Sequence, residues 1–140
     1  MIGSLSTEPA LERPDLLAEP VAAALRTWSG STLASAVEVA EIDPDLADTA
    51  AFCARYGVAL DVSANCVVLA AKRGGGTSRA AAVVLATTRA DVNGLARRRL
   101  EARKCSFAAT DVAVEATGME HGGITPIGLP VDWAVLVDAA

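Results

Sequence analysis

Aromatic side chains are scarce in this chain of 140 residues, where two Trp, two Phe and one Tyr make up 4% of the sequence. So few rings are poorly suited to stacking on bases, which argues against a platform for single-stranded nucleic acid. Hydrophobic residues reach 52%, so Val, Leu and Ala must build the core. At this length we expect one domain, residues 1–140, with a single core that buries about two-thirds of the surface of the unfolded chain.

Cysteine and histidine are also sparse. Cys53, Cys66 and Cys105 are scattered and form no CxxC pair, and His121 is the one histidine. An odd, dispersed set indicates buried thiols in a reducing cytosol rather than a disulfide framework or a zinc site. A single His can anchor a Ser-His-Asp triad only if a Ser and an Asp converge on it, and no G-x-S-x-G motif is present.

Positive charge is in short supply, since 12 Lys or Arg stand against 17 Asp or Glu for a net charge of −5. This balance argues against a broad electrostatic grip on nucleic acid but leaves room for a local basic patch. No apolar run reaches about 18 residues, so we expect no membrane span. Residues 1–13 have no basic start and no apolar run; we expect disorder there, no secretory signal, and a cytoplasmic protein.

Hydrophobic periodicity predicts helices and strands in irregular alternation. Two continuous apolar runs joined by "KRGGGTSR" predict a hairpin with a flexible, exposed glycine tip. A mixture of hairpins and helical crossovers is typical of an α+β fold, so we predict a strongly curved, mixed sheet, partly closed as a barrel, with flanking helices. Helices are predicted at 13–30, 43–57, 89–104 and 110–118, and strands at 35–42, 65–71, 80–88, 105–109 and 133–139.

Helix boundaries follow from capping residues. Gly30 is the predicted stop of the first helix, and Pro20 offers an alternative start, with the preceding residues as a separate turn. Asp43 is the expected N-cap of the second helix, and Thr110 or Asp111 that of the fourth.

The third predicted helix, 89–104, is basic in an acidic protein. Its apolar residues Val92, Leu95 and Leu100 are expected to face inward. An exposed helix face whose long side chains hold their charges in water is the simpler interpretation of the basic side. A docking surface for a phosphate backbone is the functional one. The basic side carries Arg97, Arg98, Arg99, Arg103 and Lys104.

The stretch "ATGMEHGGITPIGLP" (116–130), called the glycine loop below, contains six Gly or Pro residues. A structural loop with unusual backbone angles explains this composition. A functional interpretation is that backbone N–H groups around Gly122, Gly123 and Ile124 point into a pocket, stiffened by Pro126. Such donors can hold a carbonyl or a developing oxyanion without a charged side chain.

The glycine loop, with "SANCVVLAA" before it and "WAVLVDA" after it, resembles the YbaK-type family of aminoacyl-tRNA deacylases. These are free-standing relatives of the editing insertion domain of bacterial prolyl-tRNA synthetases. The resemblance covers roughly residues 35–140. It implies a curved mixed sheet with flanking helices, and hydrolysis of the ester that joins a wrong amino acid to its tRNA, without a metal or other cofactor.

The resemblance also assigns site residues. The family's Gly, three residues, then Pro corresponds here to Gly122 and Pro126. It implies catalytic roles for Gly122, Gly123 and Asn65. It implies aminoacyl-tRNA as the partner and leaves a homodimer open. The other expected contacts to the substrate are through His121, Ile124, Thr125 and Pro126. The basic side of the helix over 89–104 supplies the expected contacts to tRNA, through Arg97, Arg98, Arg99 and Lys104.

Two departures from the family pattern stand out. Asn65 occupies the place where the family usually has Lys, so a hydrogen-bonding group replaces a charge. The family also continues past the last strand, whereas this sequence stops at Ala140, so the C-terminal part of the family fold is expected to be missing. The favoured hypothesis is a trans-editing deacylase for a small amino acid. The alternatives are a homologue that binds aminoacyl-tRNA or a related ligand without turnover, and a truncated remnant.

Overall fold

The computed structural model describes residues 2–28 and 33–138. Within them lie two sheets and four α-helices in mixed order, which confirms the α+β class. The helices are α1 (Glu19–Arg26), α2 (Thr49–Tyr56), α3 (Arg97–Arg99) and α4 (Thr110–Thr117). The strands are β1 (Glu8–Pro9), β2 (Glu38–Val39), β3 (Ala64–Arg73), β4 (Gly76–Leu85), β5 (Lys104–Phe107) and β6 (Ala134–Val137).

The main sheet has the order β5-β3-β4-β6, and β1 pairs with β2 in a separate two-stranded sheet. β3 is antiparallel to both β4 and β5, whereas β6 is parallel to β4. The predicted mixed sheet is therefore confirmed. The strand pairings between described residues close no barrel.

The hairpin of β3 and β4 is longer than predicted. The ladder runs from Ala64 opposite Leu85 to Arg73 opposite Gly76, so a two-residue turn replaces the expected flexible loop over 72–79. Gly74 and Gly75 have φ of 58° and 82°. Positive φ at both central positions matches the twist of the flanking strands, and this is why glycine suits the turn.

Helix α1 begins at Glu19, with Pro20 in its first turn, and Pro14–Leu16 form a separate 3-10 turn. The alternative start at Pro20 is thus confirmed over the longer helix. The predicted stop at Gly30 lies outside the described residues. The helix buries Val21 and Leu25 on one face, as the spacing predicts.

Helix α2 begins later than predicted. Asp43 caps only a 3-10 turn, its Oδ1 accepting from the amide of Asp45 at 2.9 Å, while Asp48 caps α2 through the amide of Ala51 at 3.0 Å. Gly57 ends α2 in the left-handed conformation, as predicted. The predicted cap of α4 is wrong, because Ala109 holds the N-cap position and no side chain caps it.

The predicted helix over 89–104 and its inward face are partly wrong. A π-helical turn, Val92–Ala96, leads into the three-residue α3, and the chain is already extended as β5 at Lys104. The wider π-turn shifts the side-chain register. Leu95 is consequently 51% exposed, and Ala96 takes its place in the core. The predicted strand 35–42 is also shorter, since a 3-10 turn, Ala34–Ala36, precedes β2.

Among the residues that the structure describes, two apolar clusters stand out in the core. One lies on the main sheet beneath the π-turn and is formed by Leu69, Ala82, Val92, Ala96 and Cys105. The other joins the N-terminal segment to the glycine loop and is formed by Ala10, Val21, Leu25 and Met119, with Ile124, Ile127 and Leu129 packed against them.

Candidate functional site

The glycine loop packs closely against the start of α1. Gly128 has φ +88°, and a Cβ there would stand 2.6 Å from the carbonyl oxygen of Pro20. Gly118 has φ +69°, and its Cβ would stand 3.1 Å from Cγ of Pro20. A side chain at either position would be strained by φ and crowded by Pro20. Close packing on α1 therefore explains two of the loop glycines.

Gly122 approaches the segment before α2 instead. Its φ is +86°, and a Cβ would lie 3.2 Å from Cβ of Ala47. Gly123 has neither constraint, since its nearest neighbour to an added Cβ is the carbonyl oxygen of Glu120 at 3.6 Å.

The amides of the loop divide into engaged and unengaged donors. Gly123 donates to the carbonyl oxygen of Glu120 at 2.9 Å, which closes a turn, and Thr125 donates to Sδ of Met119 at 3.5 Å. Within residues 2–28 and 33–138, the amides of Gly122 and Ile124 donate no hydrogen bond. Unpaired backbone donors require water or a ligand as partner.

A cavity of about 590 Å³ opens beside the loop. His121, Gly122, Gly123 and Thr125 line it on the loop side. The remaining predicted loop contacts do not line it: Ile124 packs in the second core cluster, and Pro126 lies outside the lining. The apolar lining from the N-terminal segment and from residues 37–42 around β2 consists of Leu17, Val21, Leu25, Val37, Val39 and Ile42.

The polar part of the described lining is acidic, with no Lys or Arg. Asp15 is held by Arg13, which donates through Nε and Nη2 to the two carboxylate oxygens at 2.9 and 2.8 Å. These hydrogen bonds keep the pKa of the Asp15 carboxyl below its ordinary value. Such a wall favours a cation and an apolar group over a phosphate. Its carboxylates belong to Asp15, Glu38, Glu41 and Glu120.

Asn65 lies at the start of β3 and does not line this cavity. Thr49, in the first turn of α2, donates from Oγ1 to Oδ1 of Asn65 at 2.9 Å. The bond orients the amide, and Nδ2 donates to no group of the described part of the chain. Ala47 lies beside Gly122 and Thr49 is hydrogen-bonded to Asn65, so residues 47–49, just before and at the start of α2, connect the loop to the strand.

Cys66 follows Asn65 on β3. Burial raises the pKa of its thiol to about 11. At neutral pH the group is therefore a protonated thiol and not the thiolate that a nucleophile requires.

A family model described as the aminoacyl-tRNA editing domain matches residues 43–140, more than half of the chain. The chain belongs to the aminoacyl-tRNA editing domain family. This match confirms the resemblance that the glycine loop indicated. Membership of the family also implies a general role in aminoacyl-tRNA editing and deacylation. No curated protein matches the chain significantly.

The editing domain carries its predicted tRNA contacts away from the cavity lining. Arg97 donates from Nε to the carbonyl oxygen of Asn93 at 2.8 Å, so its side chain is partly engaged. Arg98 and Arg99 are exposed on α3, and Lys104 is exposed at the start of β5. Across the described ranges there is no group of three residues arranged to hold a metal, and no helix long and apolar enough to cross a bilayer.

The part of the cavity lining that precedes the matched region was not predicted from the sequence. Its apolar wall comes from residues 10–42, which precede the matched region 43–140. The spacing of Val21 and Leu25 predicts a buried helix face, but no local signal says that the covering partner is the glycine loop.

Proposed function

We propose that the editing domain is a trans-editing deacylase that hydrolyses the ester between a small amino acid and tRNA. The observation that carries this proposal is the cavity of about 590 Å³ walled by His121, Gly122 and Gly123. The matched family supplies the substrate class, an aminoacyl-tRNA. The proposal adds the reaction in trans and the size of the amino acid.

In the proposed reaction, water attacks the ester carbonyl carbon, and the bond to the terminal ribose oxygen breaks. The amino acid leaves with the new oxygen as a carboxylate, the ribose oxygen takes up one of the two protons of the water as a hydroxyl, and the other proton is released to solvent. The unengaged amide of Gly122, which lines the cavity, stabilises the negative charge on the carbonyl oxygen in the transition state. Because the ester is already activated, positioning of water and substrate supplies much of the remaining effect.

The walls of the cavity suit the amino acid. Carboxylates that line the cavity, such as Glu41 and Glu120, attract its α-ammonium group. Its side chain packs toward Val21 and Leu25. An apolar pocket discriminates poorly between side chains that differ by one methylene, so small amino acids such as Ala enter most easily.

Asn65 takes a positioning role in this proposal. Its Oδ1 is held by Thr49, so Nδ2 is the end that faces a terminal ribose or phosphate oxygen. Replacing a charged Lys by this neutral donor costs on the order of a hundredfold in rate and leaves measurable turnover.

Binding without turnover is the second candidate. It is favoured by the missing charge at Asn65 and by the engaged amide of Gly123, which removes one donor from the predicted cradle. The two candidates differ in whether free amino acid is released.

The test is release of labelled amino acid from Ala-, Cys- and Ser-tRNA, for the parent protein and for Gly122→Ala. The substitution adds a Cβ 3.2 Å from that of Ala47 at a φ of +86°. Gly57→Ala is the matched control, because φ is +64° there but nothing lies within 4 Å of an added Cβ. We expect release to fall more than tenfold only in Gly122→Ala. Tight tRNA binding with no release above the buffer rate would support the second candidate.

A further inference from the structure

Charge is unevenly distributed along the chain. Residues 72–104 contain nine Lys or Arg and two Asp or Glu, a net of +7, whereas the whole chain has a net charge of −5. This basic segment begins at the end of β3 and reaches the start of β5. A polyanion is therefore attracted to this segment and repelled by the remainder of the chain, which is acidic.

Four cations converge at the hairpin end. Lys72 and Arg73 end β3, Arg103 and Lys104 stand at the start of β5, and all four side chains are exposed. The amide of Arg103 donates to the carbonyl oxygen of Lys72 at 2.8 Å, which ties the two segments together. We call these four residues the hairpin-end cluster.

The hairpin-end cluster lines a shallow cavity of about 570 Å³ together with Thr77 and the glycines 74–76. Its described lining contains no carboxylate. Among the described residues, Arg73 alone of the four has an ion pair, a 3.6 Å contact with the exposed Glu101. An exposed pair of that length holds the guanidinium weakly. The cluster is thus available to an external anion.

Two like charges are paired directly across the sheet. Lys72 lies opposite Lys104 in the antiparallel register of β3 and β5. Like charges in that arrangement destabilise a sheet unless a counter-charge lies between them. A phosphate group bound between the two ammonium groups offsets this repulsion.

The turn beside the cluster offers a bare backbone. Nothing lies within 4 Å of a Cβ built on Gly74 or Gly75. A bulky partner can consequently approach the main chain there without meeting a side chain.

The position of the cluster selects the kind of anion. Lys72 is seven residues beyond Asn65 on the continuous strand β3. At about 3.3 Å per residue the two are roughly 23 Å apart. A single phosphate or mononucleotide cannot reach both ends, whereas the phosphate backbone of a folded RNA can.

We propose that the hairpin-end cluster binds backbone phosphates of the tRNA body while the aminoacyl end occupies the cavity beside the glycine loop. This proposal rests on the proposed function for its partner. Arg103 and Lys104 already belong to the basic side predicted for residues 89–104. The proposal extends the predicted tRNA contacts to Lys72 and Arg73, at the hairpin tip that the sequence indicated to be a solvent-exposed turn.

The experiment is titration of uncharged tRNA by fluorescence anisotropy over a series of KCl concentrations, so it does not depend on hydrolysis. Lys72→Gln/Lys104→Gln removes two charges from the cluster, and Arg26→Gln/Arg55→Gln removes two elsewhere. We expect the first variant to bind about tenfold more weakly and to reduce the slope of log affinity against log salt by about 2. The second variant should retain both values of the parent protein.

Three results would overturn the proposal. They are an unchanged affinity in the cluster variant, an equal loss in the control variant, and a loss without a change in salt slope. Failure of the proposed function would instead appear as tRNA binding without release of amino acid. A melting temperature of the cluster variant at or above that of the parent at low salt would show that weaker binding does not come from misfolding.

Discussion

Thr49 Oγ1 donates a 2.9 Å hydrogen bond to Oδ1 of Asn65 and thereby joins the first turn of α2 to the start of β3. Two residues earlier stands Ala47, whose Cβ lies 3.2 Å from the position of a Cβ built on Gly122 in the glycine loop. Residues 47–49, just before and at the start of α2, thus lie close both to Asn65 and to the glycine loop.

The Thr49–Asn65 bond is expected to matter for turnover. Thr49→Val keeps the side-chain shape but removes the donor, so the Asn65 amide loses its fixed orientation. We expect deacylation of Ala-tRNA to fall about tenfold, with a loss of about 1 kcal/mol in the free energy of unfolding. Thr49→Ser retains the hydroxyl and should recover the rate. A Val variant with the parent rate would remove Asn65 from the positioning role.

Asn65→Lys introduces the charge that the family resemblance predicts at this position. A cation there can pair with a terminal phosphate or with developing negative charge, so we expect the rate of deacylation to rise about tenfold or more. The measurement is single-turnover hydrolysis of Ala-tRNA. No change in rate would mean that Asn65 does not correspond to the family's Lys.

The carboxylates that line the cavity are expected to bind the α-ammonium group of the aminoacyl substrate. Glu41→Gln/Glu120→Gln removes two of the carboxylates that line the cavity and should raise the KM for Ala-tRNA several-fold. N-acetyl-Ala-tRNA lacks that positive charge, so the parent protein should hydrolyse it poorly. Glu12→Gln, an exposed carboxylate outside the lining, is the control. Equal rates on the two substrates would contradict recognition of the ammonium group.

Gly128 is expected to be structurally indispensable. Gly128→Ala places a Cβ 2.6 Å from the carbonyl oxygen of Pro20 at φ +88°, whereas Gly57→Ala has a similar φ of +64° and open space. The left-handed conformation alone costs about 1 kcal/mol. With the clash, we expect Gly128→Ala to lose about 2–4 kcal/mol in urea unfolding. Equal losses in both variants would show that the contact with Pro20 can relax.

Ionisation of the Cys66 thiol is expected to lower the free energy of unfolding at alkaline pH. Its pKa is raised to about 11 in the folded protein, against about 8.5 in an unfolded chain. The contribution of the protonated thiol to the free energy of unfolding is therefore fully present below about pH 8.5, and it is lost as the pH rises toward 11. Urea unfolding at pH 7, 9 and 10.5 should show a steeper decline for the parent protein than for Cys66→Ala. An equal decline of the free energy of unfolding in both proteins would contradict the raised pKa. As a control, Cys66→Ala should retain the deacylation rate of the parent protein.

The local elements of the fold were readable from the sequence because their causes lie within a few residues. Pro20 in the first turn of α1, Gly57 at the end of α2 and the glycines between β3 and β4 each constrain backbone angles where they stand. The glycine loop likewise carries its motif contiguously, so its family could be recognised without any knowledge of contacts.

Tertiary structure decided what those elements touch. Periodicity placed Leu95 inward, yet a π-turn capped by Asp91 rotates it to solvent, because the cap bonds and the packing on the sheet outweigh helical register. The loop glycines suggested a ligand, but Gly118 and Gly128 allow close packing on Pro20, which lies 98 and 108 residues earlier in the sequence.

Composition and short motifs were sufficient to predict the α+β class, the hairpin, the end of α2 at Gly57 and the editing family, since local patterns encode these directly. Contacts in the folded chain were needed to establish that residues 10–42 wall the cavity, that Thr49 orients Asn65, and that Lys72 lies opposite Lys104. Each of these depends on contacts between segments far apart in the chain. Such contacts are selected by the packing of the whole core, and no local pattern specifies them.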